Sequence, residues 1–234
     1  MRVKELAFHE YYHKYMILEA DMLTEKLKDA VSVKEDDCFA LVTAYVHVSG
    51  ELRFPVLSLG SAYDHCTKGL RRRAVLGEYT YDEVSELSCR IITPDLRVRA
   101  KGEAFLAAAE CDLSEDLKLT RYDVRLDDIR TDGYPDLLRF GILTNRGILV
   151  SRMNISGYEG LLITGTLAAE PEAEIGIHVG DRVWTMPFFV GEQYRLLMVL
   201  AGNELTDEQQ AALNEIKEKG TVTGLGLAAL TVRN

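Results

Sequence analysis

Between residues 79 and 199, short apolar segments are broken again and again by turn signals: Thr93-Pro94-Asp95, Lys101-Gly102-Glu103, Asp132-Gly133, Asn145-Arg146-Gly147, Ser156-Gly157, Glu170-Pro171 and Val179-Gly180-Asp181. Gly, Pro, Asn and Asp reverse a chain because each tolerates or imposes a turn backbone that other residues resist. Many short segments between such turns predict a barrel or sandwich of strands rather than helix-linked βαβ units. The chain has 234 residues, enough for one large core or for a domain with an appended element.

The flanks read differently. Residues 4–31 carry Leu6, Tyr12, Met16, Met22, Leu23 and Leu27 among Lys and Glu without Gly or Pro, which predicts one long amphipathic helix. Residues 38–48 and 51–59 are extended patterns around Ser49-Gly50, a β-hairpin. Residues 59–77 read as a loop with one helical turn, ending in the basic run Arg71-Arg72-Arg73, a solvated face or a patch between subunits. Residues 206–219 have the signals of a helix: Thr206 as N-cap, acids in the first turn, Gly220 past the end. The expected class is therefore mainly β (α+β), a β-barrel or sandwich with an N-terminal helix and a C-terminal helix. The expected bodies are a helical segment over 1–36, a β-rich domain over 37–200, and a helix with a Gly-containing tail over 201–234.

Charge narrows the partners. Lys and Arg total 27 against 37 Asp and Glu, a formal charge of -10. That balance opposes attraction to polymeric nucleic acid or anionic lipid and leaves room for a local basic pocket. No apolar run approaches the ~18 residues of a membrane span. The N-terminus, with Lys4, Glu5, His9 and Glu10, lacks the apolar stretch of a signal peptide. A cytoplasmic location is the expectation. Cys38, Cys66, Cys89 and Cys111 are too widely spaced for a Cys-x-x-Cys pair and read as reduced residues.

Two constellations carry chemistry in the sequence itself. His9-Glu10-Tyr11-Tyr12-His13 satisfies H-E-x-x-H, in which two histidines one helical turn apart bind zinc and the glutamate acts as base. Only eight residues precede it and no third ligand stands at a usual offset, so an exposed helix face is the competing reading. Tyr63-Asp64-His65-Cys66 sets a base beside a thiol, with an incidental buried cysteine as the alternative.

Four blocks then follow one another in an order that resembles the dUTPase and dCTP deaminase superfamily. Residues 101–107, Lys-Gly-Glu-Ala-Phe-Leu-Ala, with 113–117, Leu-Ser-Glu-Asp-Leu, are similar to the deaminases' P-G-E-F-x-L-A … L-P-x-D-L. Residues 138–148, with Arg139, Gly141, Gly147 and Ile148, resemble P-R-S-G-L-A-x-K-x-G-I. Residues 154–162, containing Gly157-Tyr158-Glu159-Gly160, resemble I-D-x-x-Y-R-G-E, and Gly180-Asp181-Arg182 opens a segment similar to G-D-R-I-A-Q-L. Looser likenesses are Ala62-Tyr63-Asp64 to A-G-Y-D and residues 219–226 to a glycine-rich phosphate-closing tail.

The resemblance implies a dUTPase-like jelly-roll/β-barrel and, on it, a nucleotide site. Arg139, Gly141, Arg182 and the tail glycines Gly224 and Gly226 would hold the phosphates; Gly157, Tyr158 and Gly160 would bring backbone and ring to base and sugar. It also implies a homo-oligomer, a trimer by analogy, with Mg²⁺ if the protein is an enzyme. The departures bear on catalysis. Ile155 stands where the dUTPases carry their water-activating Asp, and Leu161-Leu162-Ile163 where the deaminases carry their glutamate. Residues 120–138 read as an insertion against the pattern. Asp64 and Glu159 are the remaining acids for a catalytic role. The leading expectation is a nucleotide-binding protein with lost or rerouted catalysis. Beside it stand an active deoxynucleoside triphosphate hydrolase or deaminase, a non-catalytic assembly protein, and a zinc metallopeptidase through His9 and His13.

Overall fold

A computed structural model describes residues 1–20, 27, 33–34, 36–68, 75–200 and 204–231. The Arg71-Arg72-Arg73 run and residues 21–26 lie outside the described residues. The chain is mainly β and forms two compact units: residues 1–113 with 132–135, and residues 114–131 with 136–234. The division thus falls inside the stretch expected to be one β-rich domain.

The first unit is a curled six-stranded sheet with short helices. A single turn, α1 (Phe8–Tyr11), precedes β1 (Tyr15–Glu19). β2 (Phe39–Thr43), β3 (Tyr45–Val46) and β4 (Leu52–Gly60) follow, then α2 (Tyr63–Lys68), β5 (Glu78–Thr80), α3 (Tyr81–Val84), β6 (Cys89–Ile92) and α4 (Leu96–Ala109). The strand order is β3-β4-β2-β1-β6, with β5 also on β4. The hairpin expected around Ser49-Gly50 is formed by β3 and β4, and α2 is the helical turn expected after it.

One long helix over 4–31 is not what forms. His13 takes φ +56°, which ends the helical path, and Tyr15–Glu19 enters the sheet between β2 and β6. The physical reason is in the residues: Tyr15, Met16, Ile17 and Leu18 are all buried, and a strand covered on both faces has no alternation to betray it. Helical spacing of the neighbouring apolar residues was the wrong period for this segment.

The second unit opens with α5 (Glu115–Tyr122) and a 3-10 turn (Val124–Ile129). β7 (Arg130–Thr131), β8 (Tyr134–Thr144), β9 (Gly147–Glu159), β10 (Leu162–Leu167), β11 (Arg182–Val190) and β12 (Gln193–Val199) follow, then α6 (Asp207–Lys219) and α7 (Gly224–Leu230). β8 to β12 run as an antiparallel meander that closes on itself, Leu197 to Gly141 through Val199 to Leu143. In a five-strand meander the first and last strands point the same way, so the closing ladder must be parallel, as it is. The expected β-barrel is thus present, with helices toward both ends of the chain. Leu138, Phe140, Ile142, Met153, Ile155, Ile163, Val183 and Leu196 fill its core. Outward residues Leu143, Phe188 and Leu197 pack beneath α6 and α7 on Ala212, Leu213 and Ile216.

α6 has the expected cap: the Thr206 hydroxyl accepts from Gln209 N, and Gly220 closes the helix at φ +68°. Helices α4 and α5 stand where only strands and turns were expected. Asp95 and Ser114 cap them, and Gly102, which reads as a turn residue, is instead inside α4, where a Cβ would meet the Tyr15 ring at 2.7 Å.

Candidate functional site

Strand alternation along β8 and β9 decides where the expected residues point. Arg139 and Gly141 face outward from the barrel, and both line a cavity of about 320 Å³ that also includes Leu227 of α7. Tyr158 and Gly160 line a different cavity, of about 490 Å³, at the β9–β10 turn. The two cavities have no lining residue in common. The expected phosphate and base contacts are therefore divided between two places.

The Tyr158 cavity is built on a charge cluster. The 3-10 turn starts at Asp123, whose Oδ1 accepts from Arg125 N at 3.1 Å. The same carboxylate takes the Arg125 guanidinium at 2.8 and 2.7 Å and the Tyr158 hydroxyl at 2.6 Å. Arg125 also lies over the Tyr194 ring, 5.4 Å from its centroid. Burial pushes the Asp123 carboxyl up, but the hydrogen bonds from Arg125 and Tyr158 outweigh it and hold the group below the ordinary range. Burial, and then the bond to Asp123, pushes the Tyr158 phenol well above its usual value, so it remains a donor. Arg125 spends Nε and Nη2 on Asp123, and its Nη1 makes no hydrogen bond among the described residues. Lys217 from α6 adds a second cation that is in no ion pair among the described residues, and Leu161, Leu162, Met186 and Pro187 supply apolar wall.

The other expected residues are committed elsewhere. The Glu159 carboxylate accepts from Arg182 at 3.1 Å and from Trp184 Nε1 at 2.7 Å, with Arg182 stacked 4.8 Å over that indole. This exposed trio lines neither cavity, so Glu159 is held as an acceptor rather than poised as a base. Gly157 lets a helix approach: a Cβ there would lie 2.6 Å from the Asp116 Cβ of α5. Gly224 and Gly226 are in the first turn of α7, capped by the Thr223 hydroxyl, and Gly226 allows that helix to approach Ala212 and Val222. They form no phosphate-closing loop.

In the first unit Asp64 is exposed at the start of α2, and Cys66 beneath it is buried, its thiol donating to Phe39 O at 3.3 Å. Burial pushes that thiol up to about 12, aided by the nearby Asp37 charge, so it is no nucleophile. His9 and His13 do not share a helix face, because α1 ends at Tyr11 and His13 turns back; its Nε2 lies 3.1 Å from Glu110 Oε2. Among the described residues no three His, Cys, Asp or Glu side chains are grouped to hold a metal ion. Among the described residues, the lining of the Tyr158 cavity holds no carboxylate.

Sequence reasoning missed Asp123, Arg125, Tyr194 and Lys217. Asp123 and Arg125 belong to the stretch that reads as an insertion, and their only signal was an acid and a base two residues apart. Lys217 reads as one of several charges on an amphipathic helix.

The chain matches no protein-family model, no curated protein and no solved structure. Among the described residues, no helix is long and apolar enough to cross a membrane.

Proposed function

We propose that the second unit binds a small anionic metabolite with a planar ring, of the nucleotide class, in the Tyr158 cavity, and holds it without turnover. The observation that carries this reading is the composition of the lining: two cations, Arg125 and Lys217, two tyrosines, apolar wall, and no carboxylate, histidine or cysteine. Guanidinium and ammonium donors suit phosphate oxygens, and the phenol rings and aliphatic side chains suit the faces of a base. The volume lies within the range of small-molecule sites, ~300–1,000 Å³. General-base hydrolysis or deamination needs a proton acceptor within reach of the substrate, and the Asp123 carboxylate that holds Arg125 and Tyr158 is saturated by them.

A thermal-shift panel of nucleoside mono-, di- and triphosphates tests the reading, each incubation being followed for product. The expected result is a raised melting midpoint with one class of nucleotide, since a ligand at a hundred times its Kd adds about 2.7 kcal/mol, and unchanged nucleotide afterwards. Product formation would favour the hydrolase or deaminase. No shift with any nucleotide would overturn the proposal.

A further inference from the structure

The cavity on the outer barrel face carries its own signature. Along β8 the outward row is Arg139, Gly141 and Leu143; the Ile148 side chain packs over Gly141, 2.7 Å from where a Cβ would stand, and the cavity opens beside them toward Leu227 of α7. Across the ladder Val150 pairs with Gly141, and Arg152 pairs directly with Arg139. Arg195 comes from β12, opposite Phe188. Three arginines thus flank one end of an apolar hollow walled by Ile148, Val150, Phe188 and Leu227.

None of the three is in an ion pair with a carboxylate among the described residues. Arg139 donates to Asp128 O at 2.9 Å, and Arg195 to Tyr194 O at 2.9 Å and to the Gln193 amide oxygen. Like charges facing each other across an antiparallel pair destabilise a sheet. In a chain of net charge -10, acids were abundant to neutralise them, yet Arg139 and Arg195 meet neutral oxygens. Such a placement suits an anion arriving from outside, and the hollow beside it suits an alkyl chain.

We propose that this cavity takes a free single-chain amphiphile, its alkyl chain against the wall of Ile148, Val150, Phe188 and Leu227 and its carboxylate among Arg139, Arg152 and Arg195. The site stands apart from the Tyr158 cavity and does not depend on the nucleotide reading.

Isothermal titration of the full chain with octanoate, decanoate and 1-octanol, below micelle-forming concentrations, tests it. Each methylene added to the carboxylate tightens binding about fourfold until the hollow is full. Octanoate binds about tenfold tighter than 1-octanol, and Arg152→Glu, at an exposed side chain with no hydrogen-bond partner among the described residues, removes that advantage while the melting midpoint without ligand is kept or raised, because the repulsion from Arg139 is gone. A second variant, Val150→Asp, at an exposed position on the wall, weakens decanoate binding by a similar factor. Equal affinity for octanoate and 1-octanol, equal affinity of wild type and Arg152→Glu, or no binding would each overturn the proposal. So would co-sedimentation with vesicles of anionic phospholipid without uptake of the free carboxylate, which would assign the arginines to a bilayer surface.

Discussion

Arg121 is 2% exposed, and removing its guanidinium from water costs several kcal/mol. Asp136 offsets that cost through two hydrogen bonds, of 3.2 and 2.7 Å. Removing Asp136 takes two acceptors from a buried guanidinium: Asp136→Ala is expected to lower unfolding stability by ~1–3 kcal/mol, read as a drop in the urea midpoint. Asp123 sets a pH dependence of definite sign. Its folded-state carboxyl is held below the ordinary value of about 4, so the stability it contributes is fully present above that value and is lost as pH falls through the lower folded one. Urea midpoints measured from neutral pH downward should fall less steeply in Asp123→Asn than in wild type. An unchanged acid limb would show that Arg125 and Tyr158 do not stabilise the charged carboxylate.

Elements were legible where their signal is local. The α6 helix could be read from its cap residues and Gly220 because a cap is a contact among neighbours in sequence. The same holds for the Ser49-Gly50 turn. β1 was not legible, because what makes Tyr15–Glu19 a strand is its place between β2 and β6, a property of distant residues. Gly102 and Gly157 show the same gap from the other side: each reads as a turn residue, yet each is glycine because another element comes close. For Gly157 this has a measurable consequence. A methyl group there must displace α5 at Asp116, so Gly157→Ala is expected to cost ~1–3 kcal/mol, with chemical denaturation as the check. A merely flexible turn would tolerate the change.

At the scale of the whole molecule, each unit has its own core, and a closed barrel gives the second unit two surfaces where an open sheet would offer one face. Strand alternation puts Phe140 and Ile142 inside the barrel and Arg139 and Gly141 outside it. Which outward residues meet was not readable, since closure brings β12 beside β8 from more than fifty residues away. Arg139 and Tyr158 are therefore close in sequence and separate in site. Tyr158 and Gly160 belong to one family-like block and line one cavity, while Arg125 and Lys217, which line it too, lie outside every such block. The account rests on that cavity binding an anion through Arg125 and Lys217, and Lys217 is the cation that can be changed without disturbing the Asp123 cluster. Isothermal titration of the nucleotide selected by thermal shift, into wild type, Lys217→Glu and Arg152→Glu, tests it most directly. The account predicts about tenfold weaker binding in Lys217→Glu and wild-type affinity in Arg152→Glu. Wild-type affinity in Lys217→Glu, or a loss confined to Arg152→Glu, would contradict it.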